Sequence, residues 1–196
     1  MAKPTPELMH EVDLVFSYLS RHRAVGLTYS SKSCTLHGFS DASWEVHRST
    51  SGWFVFWQNC ALTWGSRKQP STALSSCEAE IIALSEAAKD LVYFRKLVRG
   101  LDRTYLSGPS DLSTDNQAAR DLSYNPEGHD RSKHVARRHF FVRDMVEAFE
   151  LNVPLVPTKK NPADFLTKPL GKAEFFALRE ILMNEGDAGP RRPANE

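Results

Sequence analysis

The chain has 196 residues, of which 41% are hydrophobic and 25% charged, and its formal net charge is +1 at pH 7. These proportions are typical of a globular protein and exclude a disordered or strongly basic chain. The three cysteines, Cys34, Cys60 and Cys77, form no CxxC pair, which favours free thiols in a reducing compartment. Because the sequence contains neither a signal-peptide core nor an apolar run of membrane-spanning length, we expect a soluble, intracellular protein with no membrane partner.

Hydrophobic periodicity and turn residues divide the chain into helices and strands. We predict helices at 6–20, 75–99, 116–123, 132–149 and 172–183, a helical turn at 162–167, and strands at 33–39, 52–57, 60–64, 111–114 and 153–156. Three strands, a long helix, a strand, helices, a strand and a helix follow one another in this order. The order predicts an α/β domain with a mixed sheet, in which functional groups collect at strand ends.

Four acidic side chains stand at or near the ends of these elements. Asp41 follows the first strand, Glu80 lies in the long helix, Asp115 follows the fourth strand, and Asp164 begins the helical turn. Each aspartate alone also fits a turn, an N-cap or a first-turn position. The combination of four such acids therefore carries more weight than any one of them.

Glu80 is the least easily explained of the four by local structure. Helical spacing places it on the same stripe as Leu84 and Leu91, the side that should face the sheet. Glu78 is the alternative, but it lies on nearly the opposite face and completes a capping box with Ser75. A buried carboxylate is tolerated when a cation meets it, so we select Glu80 as the functional acid.

Carboxylates that converge on one pocket are the ligands that hard divalent cations require. We therefore predict that Asp41, Glu80, Asp115 and Asp164 are both catalytic and metal-binding, and that they hold two Mg²⁺ ions, with Mn²⁺ as a substitute. Two-metal hydrolysis of a phosphodiester needs no nucleophile from the protein.

Several blocks of sequence surround the four acids and the polar residues near them. They are SDASW at 40–44, RSTSGW at 48–53, TWGSRKQP at 63–70, ALSSCEAE at 73–80, TDNQAA at 114–119, RSKH at 131–134, RHF at 138–140 and ADFLTKPL at 163–170. Together these blocks closely resemble the ribonuclease H region of copia-type reverse transcriptases. The resemblance covers residues 4 to 183. One departure is the stretch 44–48, which is shorter than the loop that the family has after its first aspartate.

The resemblance implies a ribonuclease H-like fold with a mixed five-stranded sheet flanked by helices. It implies a linking segment from the polymerase at 1–32, the ribonuclease H domain at 33–170, a C-terminal helix at 171–184 and a disordered tail at 185–196. The family's activity is endonucleolytic hydrolysis of the RNA strand of RNA–DNA hybrids during reverse transcription. Its partner is the polymerase domain of the same polyprotein, and its location is cytoplasmic, in a virus-like particle, or nuclear.

A hybrid must be held by contacts to phosphates and to 2′-hydroxyl groups. The candidates are Ser43, Arg67, Lys68, Asn116, Gln117, Arg131, Lys133, Lys159 and Lys160. A solvated basic face is the alternative interpretation of the lysines and arginines. Their closeness in sequence to the four acids favours the binding role.

Two other functions fit the same pattern. One is a decayed module that keeps the fold and binds nucleic acid without cleaving it. The other is a strand-transferring core of the integrase or transposase type, although such sites carry their glutamate on a late helix, whereas Glu80 follows the third strand.

Overall fold

The structure is a computed structural model that describes residues 3–29, 35–125 and 133–185, without the side chains of 133–137 and 139. Its helices are α1 (Pro6–Arg21), α2 (Ser76–Leu101), α3 (Gln117–Tyr124), α4 (Lys133–Glu147) and α5 (Lys172–Met183). Its strands are β1 (Leu36–Ser43), β2 (Thr50–Trp57), β3 (Cys60–Lys68), β4 (Ser110–Ser113) and β5 (Leu151–Asn152). Two short 3-10 helices, Thr158–Lys160 and Pro162–Leu166, lie between β5 and α5.

The five strands form one mixed sheet in the order β3-β2-β1-β4-β5. β1 pairs antiparallel with β2, and β2 with β3, whereas β4 pairs parallel with both β1 and β5. The mixed five-stranded sheet predicted from the sequence is therefore confirmed. Because β1 and β4 are parallel neighbours, their carboxyl ends meet at the same edge of the sheet.

Apolar side chains cover both faces of this sheet. Along β2, Val55 packs in a cluster with Leu84 of α2, whereas Phe54 packs in a second cluster with Leu182 of α5. Successive side chains of a strand point to opposite faces, so the unbroken apolar run of β2 serves two cores at once. α2 and α4 lie over one face, and α5 with the second 3-10 helix lies over the other.

α2 begins where the sequence predicted it. The Ser75 hydroxyl accepts a hydrogen bond from the Glu78 amide at 3.2 Å, and Glu78 Oε2 accepts one from the Leu74 amide at 2.9 Å. The first bond satisfies an amide that a helix start leaves without a partner, and the second ties the residue before the N-cap to the first turn. The helix runs to Leu101, two residues beyond the predicted end at 99.

β1 extends farther than the sequence pattern suggested. Its pairing with β2 continues to Ser43 opposite Thr50, so Asp41 lies inside the strand, opposite Gly52. The predicted end of this strand at 39, with Asp41 beyond it, is therefore wrong. Residues 40–43 are small and polar and have local turn character, but the ladder with β2 overrides it.

The last strand is displaced towards the N-terminus from the predicted 153–156. β5 comprises Leu151 and Asn152, and within the described residues a single bridge between Thr114 and Leu155 continues the pairing. Pro154 has no amide hydrogen to give to the ladder, which explains why regular pairing ends before it.

α1 has no buried residue and is attached to α5 by aromatic and polar contacts. The Tyr18 ring lies 5.6 Å from that of Phe175, edge to face, and Arg179 Nη1 donates to the Tyr18 hydroxyl at 3.3 Å. The linking role of 1–32 and the domain bounds at 33, 170 and 184 stay predictions. Nearly all of the predicted tail at 185–196 lies outside the described residues. No helix in the described part of the chain has the length and apolarity to cross a bilayer.

Candidate active site

Three of the four predicted acids meet where β1 and β4 end. Asp41 lies in β1, Asp115 follows β4 by two residues, and Glu80 lies early in α2. One carboxylate oxygen of each lies within 4.8 Å of the other two. Asp41 is 7% exposed and Glu80 6%, and Asp115 is half-buried. The burial expected of Glu80 from its helical face is thus observed.

Asp164 borders this group from the second 3-10 helix. It is 4% exposed and places Oδ2 2.8 Å from Lys168 Nζ. It is outside the three-carboxylate group itself. The structure therefore brings all four predicted acids into one region, with three in a tight set and the fourth beside it.

Two polar side chains fasten the turn that carries the fourth acid. Asn161 Nδ2 donates to the Ser40 carbonyl at 2.9 Å, and its Oδ1 caps the second 3-10 helix. At the other end of the turn, the Thr167 hydroxyl donates to Asp41 Oδ2. Sequence reasoning missed both residues, although an asparagine directly before Pro162 is a recognisable helix-start signal.

Gly52 provides the space that this turn occupies. A Cβ atom at position 52 would lie 2.6 Å from Thr167 Cγ2, 2.9 Å from Leu166 Cβ and 3.0 Å from the Ala163 carbonyl oxygen. Since Gly52 pairs with Asp41 across the sheet, the turn lies directly against the strand that carries the first acid. The missing side chain at 52 thus allows the fourth acid to approach the first.

Gln69 connects the sheet to the start of α2. It is 2% exposed, and its Nε2 donates to Ser51 Oγ at 2.8 Å and to the Ala79 carbonyl at 2.9 Å. Ala79 directly precedes Glu80, so this amide fixes the backbone that carries the helical acid. The sequence pattern assigns Gln69 no role beyond its place in the TWGSRKQP block, because a buried amide leaves no periodic signal.

The surroundings of Glu80 and Asp41 disfavour the ionised forms of their carboxyl groups. Burial raises the pKa of Glu80 to about 9, and the charges of Asp41, Asp115 and Asp164 add to the effect. Burial likewise raises the pKa of Asp41 to about 6, against an opposing hydroxyl hydrogen bond and with reinforcement from Asp164 and Asp115. Without a bound cation, burial and mutual repulsion therefore oppose the ionisation of Asp41 and Glu80.

The residues present fit a divalent cation. Glu80 Oε2 and Asp164 Oδ1 are buried and have no hydrogen-bond partner among the described residues. Leaving a buried carboxylate oxygen unpaired is costly, and a bound cation removes that cost. Clustered carboxylate oxygens are also the ligands that Mg²⁺ prefers. The arrangement can thus bind a hard metal ion at the sheet edge.

The predicted nucleic-acid contacts beside Asp115 have partners within α3. Asn116 Oδ1 accepts a hydrogen bond from the Ala119 amide at 2.9 Å, which makes it the N-cap. Gln117 Nε2 lies 2.7 and 2.8 Å from the two carboxylate oxygens of Asp121. Both residues border the acids, and Gln117 would have to leave Asp121 to contact a ligand through Nε2.

Four of the predicted basic contacts lie on exposed parts of two elements, β3 and the first 3-10 helix. The Arg67 guanidinium lies 5.5 Å from the centroid of the Trp53 ring, and Lys68 Nζ lies 2.6 Å from Oε1 of Glu45. Lys159 and Lys160 are exposed on the first 3-10 helix.

Three other predicted contacts complete the set. Ser43 ends β1, two residues beyond Asp41. Arg131 lies outside the described residues, and of Lys133 the structure describes the backbone alone.

The short loop after β1 is anchored at several points. Trp44 Nε1 donates to the Ala73 carbonyl at 3.2 Å, and the Thr72 hydroxyl donates to the His47 carbonyl at 2.7 Å. Both bonds join the loop to the segment that leads into α2. The departure from the family's loop length therefore leaves Asp41 inside a fully paired strand.

Comparison with known proteins identifies relatives over most of the chain, although no family model matches it. A retrovirus-related Pol polyprotein from transposon TNT 1-94 of Nicotiana tabacum is 29% identical over 189 residues, which cover 93% of this chain and 14% of the relative. The Pol polyprotein from transposon RE2 of Arabidopsis thaliana is 32% identical over 180 residues, covering 89% and 12%. The chain thus spans about an eighth of the length of these curated relatives.

Solved structures share the fold at low sequence identity. RNase H1 from Halobacterium salinarum has a TM-score of 0.51 at 17% identity, covering 73% of this chain and 98% of that chain. LC11-RNase H1, solved in complex with an RNA/DNA hybrid, has a TM-score of 0.50 at 15% identity, covering 68% and 94%. The predicted ribonuclease H-like fold class is therefore confirmed. The chain is thus similar in sequence to retrotransposon Pol polyproteins and shares the fold of ribonuclease H.

Proposed function

We propose that this chain hydrolyses the RNA strand of RNA–DNA hybrids during reverse transcription of a retrotransposon. The observation that carries the proposal is the set of carboxylates from β1, α2 and the end of β4 whose oxygens lie within 4.8 Å of one another. The fold alone would not be sufficient, because one fold hosts many activities. A neighbour solved with an RNA/DNA hybrid supports the choice of substrate.

Two divalent ions are the proposed cofactors, Mg²⁺ with Mn²⁺ as a substitute. Asp41, Glu80, Asp115 and Asp164 would hold them as catalytic residues. When bound, such ions supply Lewis-acid chemistry that activates water and stabilises the leaving 3′ oxygen. The protein's part is to hold these acids in place, and the Thr167 hydroxyl orients Asp41 for this purpose.

The hybrid is proposed to bind along the surface that borders the acids. Phosphate contacts would come from the exposed basic residues Arg67, Lys68, Arg131, Lys133, Lys159 and Lys160. Ser43, Asn116 and Gln117 lie nearest to the acids in sequence and would contact the sugars, where a 2′-hydroxyl distinguishes RNA from DNA. The polymerase domain of the same polyprotein is the proposed partner, in a cytoplasmic virus-like particle or in the nucleus.

Cleavage of labelled RNA–DNA hybrid in the presence of Mg²⁺ tests the function. We expect the parent chain to cut the RNA strand and to leave a DNA duplex intact. Asp115→Asn should lower the cleavage rate at least about 100-fold. Loss of a residue that only supports a metal ligand costs up to about 100-fold in activity, and Asp115 is itself a proposed ligand. Asp111→Asn is the matched control, because Asp111 is an exposed carboxylate of β4 outside the cluster, and it should cut at the parental rate.

Other outcomes of this assay would contradict the proposal. Cleavage that survives Asp115→Asn would remove the metal-binding role of the cluster. Hybrid binding without cleavage by the parent would support the decayed module. Joined strands in place of shortened RNA would support a strand-transferring core.

A further inference from the structure

Lys168 lies at the acidic cluster and has no part in the mechanism proposed above. Its Nζ is 2.8 Å from Oδ2 of Asp164, which lies four residues earlier in the chain. The two partners differ in environment, since the Asp164 side chain is 6% exposed and that of Lys168 is 46% exposed. The Lys168 ammonium group therefore lies between the buried Asp164 carboxylate and solvent.

The surroundings keep this ammonium charged. Burial lowers the pKa of Lys168, but the hydrogen bond to Asp164 and the charges of Asp164, Asp41 and Asp115 outweigh it and raise the pKa above its ordinary value. Among the ion pairs of the described residues, the pair of Lys168 and Asp164 is the one that includes any of the four acids. Lys168 is thus a cation in direct contact with one of the four acids, Asp164.

The ion pair competes with a metal ion for Asp164. One carboxylate oxygen of Asp164 is occupied by the ammonium, and the other is buried without a hydrogen-bond partner in the described residues. A divalent ion bound through either oxygen would lie close to a positive charge, and two cations repel strongly where water is excluded. The group of Asp41, Glu80 and Asp115 makes no such ion pair in the described structure.

We infer that Lys168 is a built-in counter-ion that takes the place of a second divalent ion at Asp164. The chain alone then binds one ion tightly, in the group of Asp41, Glu80 and Asp115, and Asp164 accepts an ion when Lys168 moves away. A half-exposed ammonium on a flexible four-carbon stem can make that move towards a phosphate of bound nucleic acid. This inference rests on the proposed metal-binding role of the cluster.

Titration of the full chain with Mn²⁺ alone, without nucleic acid, tests the inference. Free Mn²⁺, measured by electron paramagnetic resonance at pH 8, gives the number of bound ions and their dissociation constants. We expect one tight ion in the parent chain. In Lys168→Met, a second ion should bind about tenfold more tightly than in the parent, since the lost pair has one buried partner.

Two further variants separate this contact from bulk charge. Lys168→Arg keeps a cation beside Asp164 and should bind Mn²⁺ as the parent does. Lys172→Met removes an exposed lysine at the start of α5 and should change the second dissociation constant less than twofold, because exposed charges are screened by salt.

The results that overturn the inference differ from those that overturn the function. Two ions of equal affinity in the parent, or a second affinity unchanged by Lys168→Met, would refute the role of Lys168 while leaving a metal-binding cluster. An equal gain in Lys172→Met would refute it as well. Absence of any bound Mn²⁺ in parent and variants would refute both the inference and the proposed metal centre.

Discussion

Glu80 allows the destabilisation caused by a buried acid of the site to be measured as a change in the free energy of unfolding. Its pKa is about 9 in the folded chain against an ordinary value of 4.5. Between these values the unfolded chain loses a proton that the folded chain keeps, so the free energy of unfolding must fall as pH rises. In EDTA, Glu80→Gln should therefore be more stable than the parent at pH 7, by up to about 3 kcal/mol.

The advantage of Glu80→Gln should shrink towards zero as pH is lowered below 4.5, where the carboxyl group is protonated in both the folded and the unfolded parent. Urea denaturation at several pH values measures it. Glu86→Gln is the control on the same helix, because Glu86 makes a surface pair with Lys89 at 2.9 Å, and it should change stability by less than about 1 kcal/mol. A Glu80→Gln variant less stable than the parent at pH 7 would mean that the carboxylate is satisfied by the protein alone.

At the scale of elements, the decisive contact is the approach of residues 161–167 to β2. The turn is hydrogen-bonded to β1 at both ends, by Asn161 and Thr167. Its approach depends on Gly52, where a Cβ atom would meet a side-chain carbon at 2.6 Å and a backbone carbonyl at 3.0 Å. Backbone cannot rotate away as a side chain can, so an added methyl group must displace the turn.

Gly52→Ala should consequently lower the free energy of unfolding by about 1–3 kcal/mol, the usual cost of overpacking. Gly100→Ala is the matched control. Position 100 lies in the last turn of α2 with no atom near its added Cβ, so alanine should leave stability unchanged or raise it by up to about 1 kcal/mol. Thermal and urea denaturation compare the two variants. Equal stabilities of Gly52→Ala and the parent would show that the turn has room to shift.

For the whole molecule, the features that the sequence could predict are those set by local periodicity. Helical spacing favoured Glu80 over Glu78, and the structure buries Glu80. The order of helices and strands followed from the alternation of apolar runs and turn residues. By contrast, the end of β1 and the place of β5 depend on pairing between strands, and there the local signals of residues 40–43 and 153–156 were misleading.

The residues that support the acids could not be predicted in the same way. The Asn161 side chain bonds to Ser40 across 121 residues of sequence, and Thr167 bonds to Asp41 across 126. Gln69 and Lys168 also act through contacts that exist only after the chain has folded. A single amide, hydroxyl or ammonium group leaves no periodic trace in the sequence, whereas a carboxylate at a strand end does suggest its chemistry.

The stability of the entire fold should depend on divalent ions and on pH together. An ion that binds the folded state stabilises it by mass action, about 2.7 kcal/mol at 100 times its dissociation constant, or roughly 5–10 °C in Tm for a chain of this size. The acids must lose their protons to bind it. Because the pKa of Asp41 is raised to about 6 and that of Glu80 to about 9, Mg²⁺ should raise Tm little at pH 5 and progressively more up to pH 8.

Differential scanning fluorimetry with Mg²⁺ or EDTA measures this gain across the pH range. Asp115→Asn should lose most of the gain, and Asp111→Asn should keep it, because the first residue belongs to the carboxylate cluster and the second does not. A gain of the same size at pH 5 and pH 8, or one that persists in Asp115→Asn, would place the ion elsewhere on the protein. A gain that grows with pH and requires Asp115 would link the repulsion within the site to the stability of the whole fold.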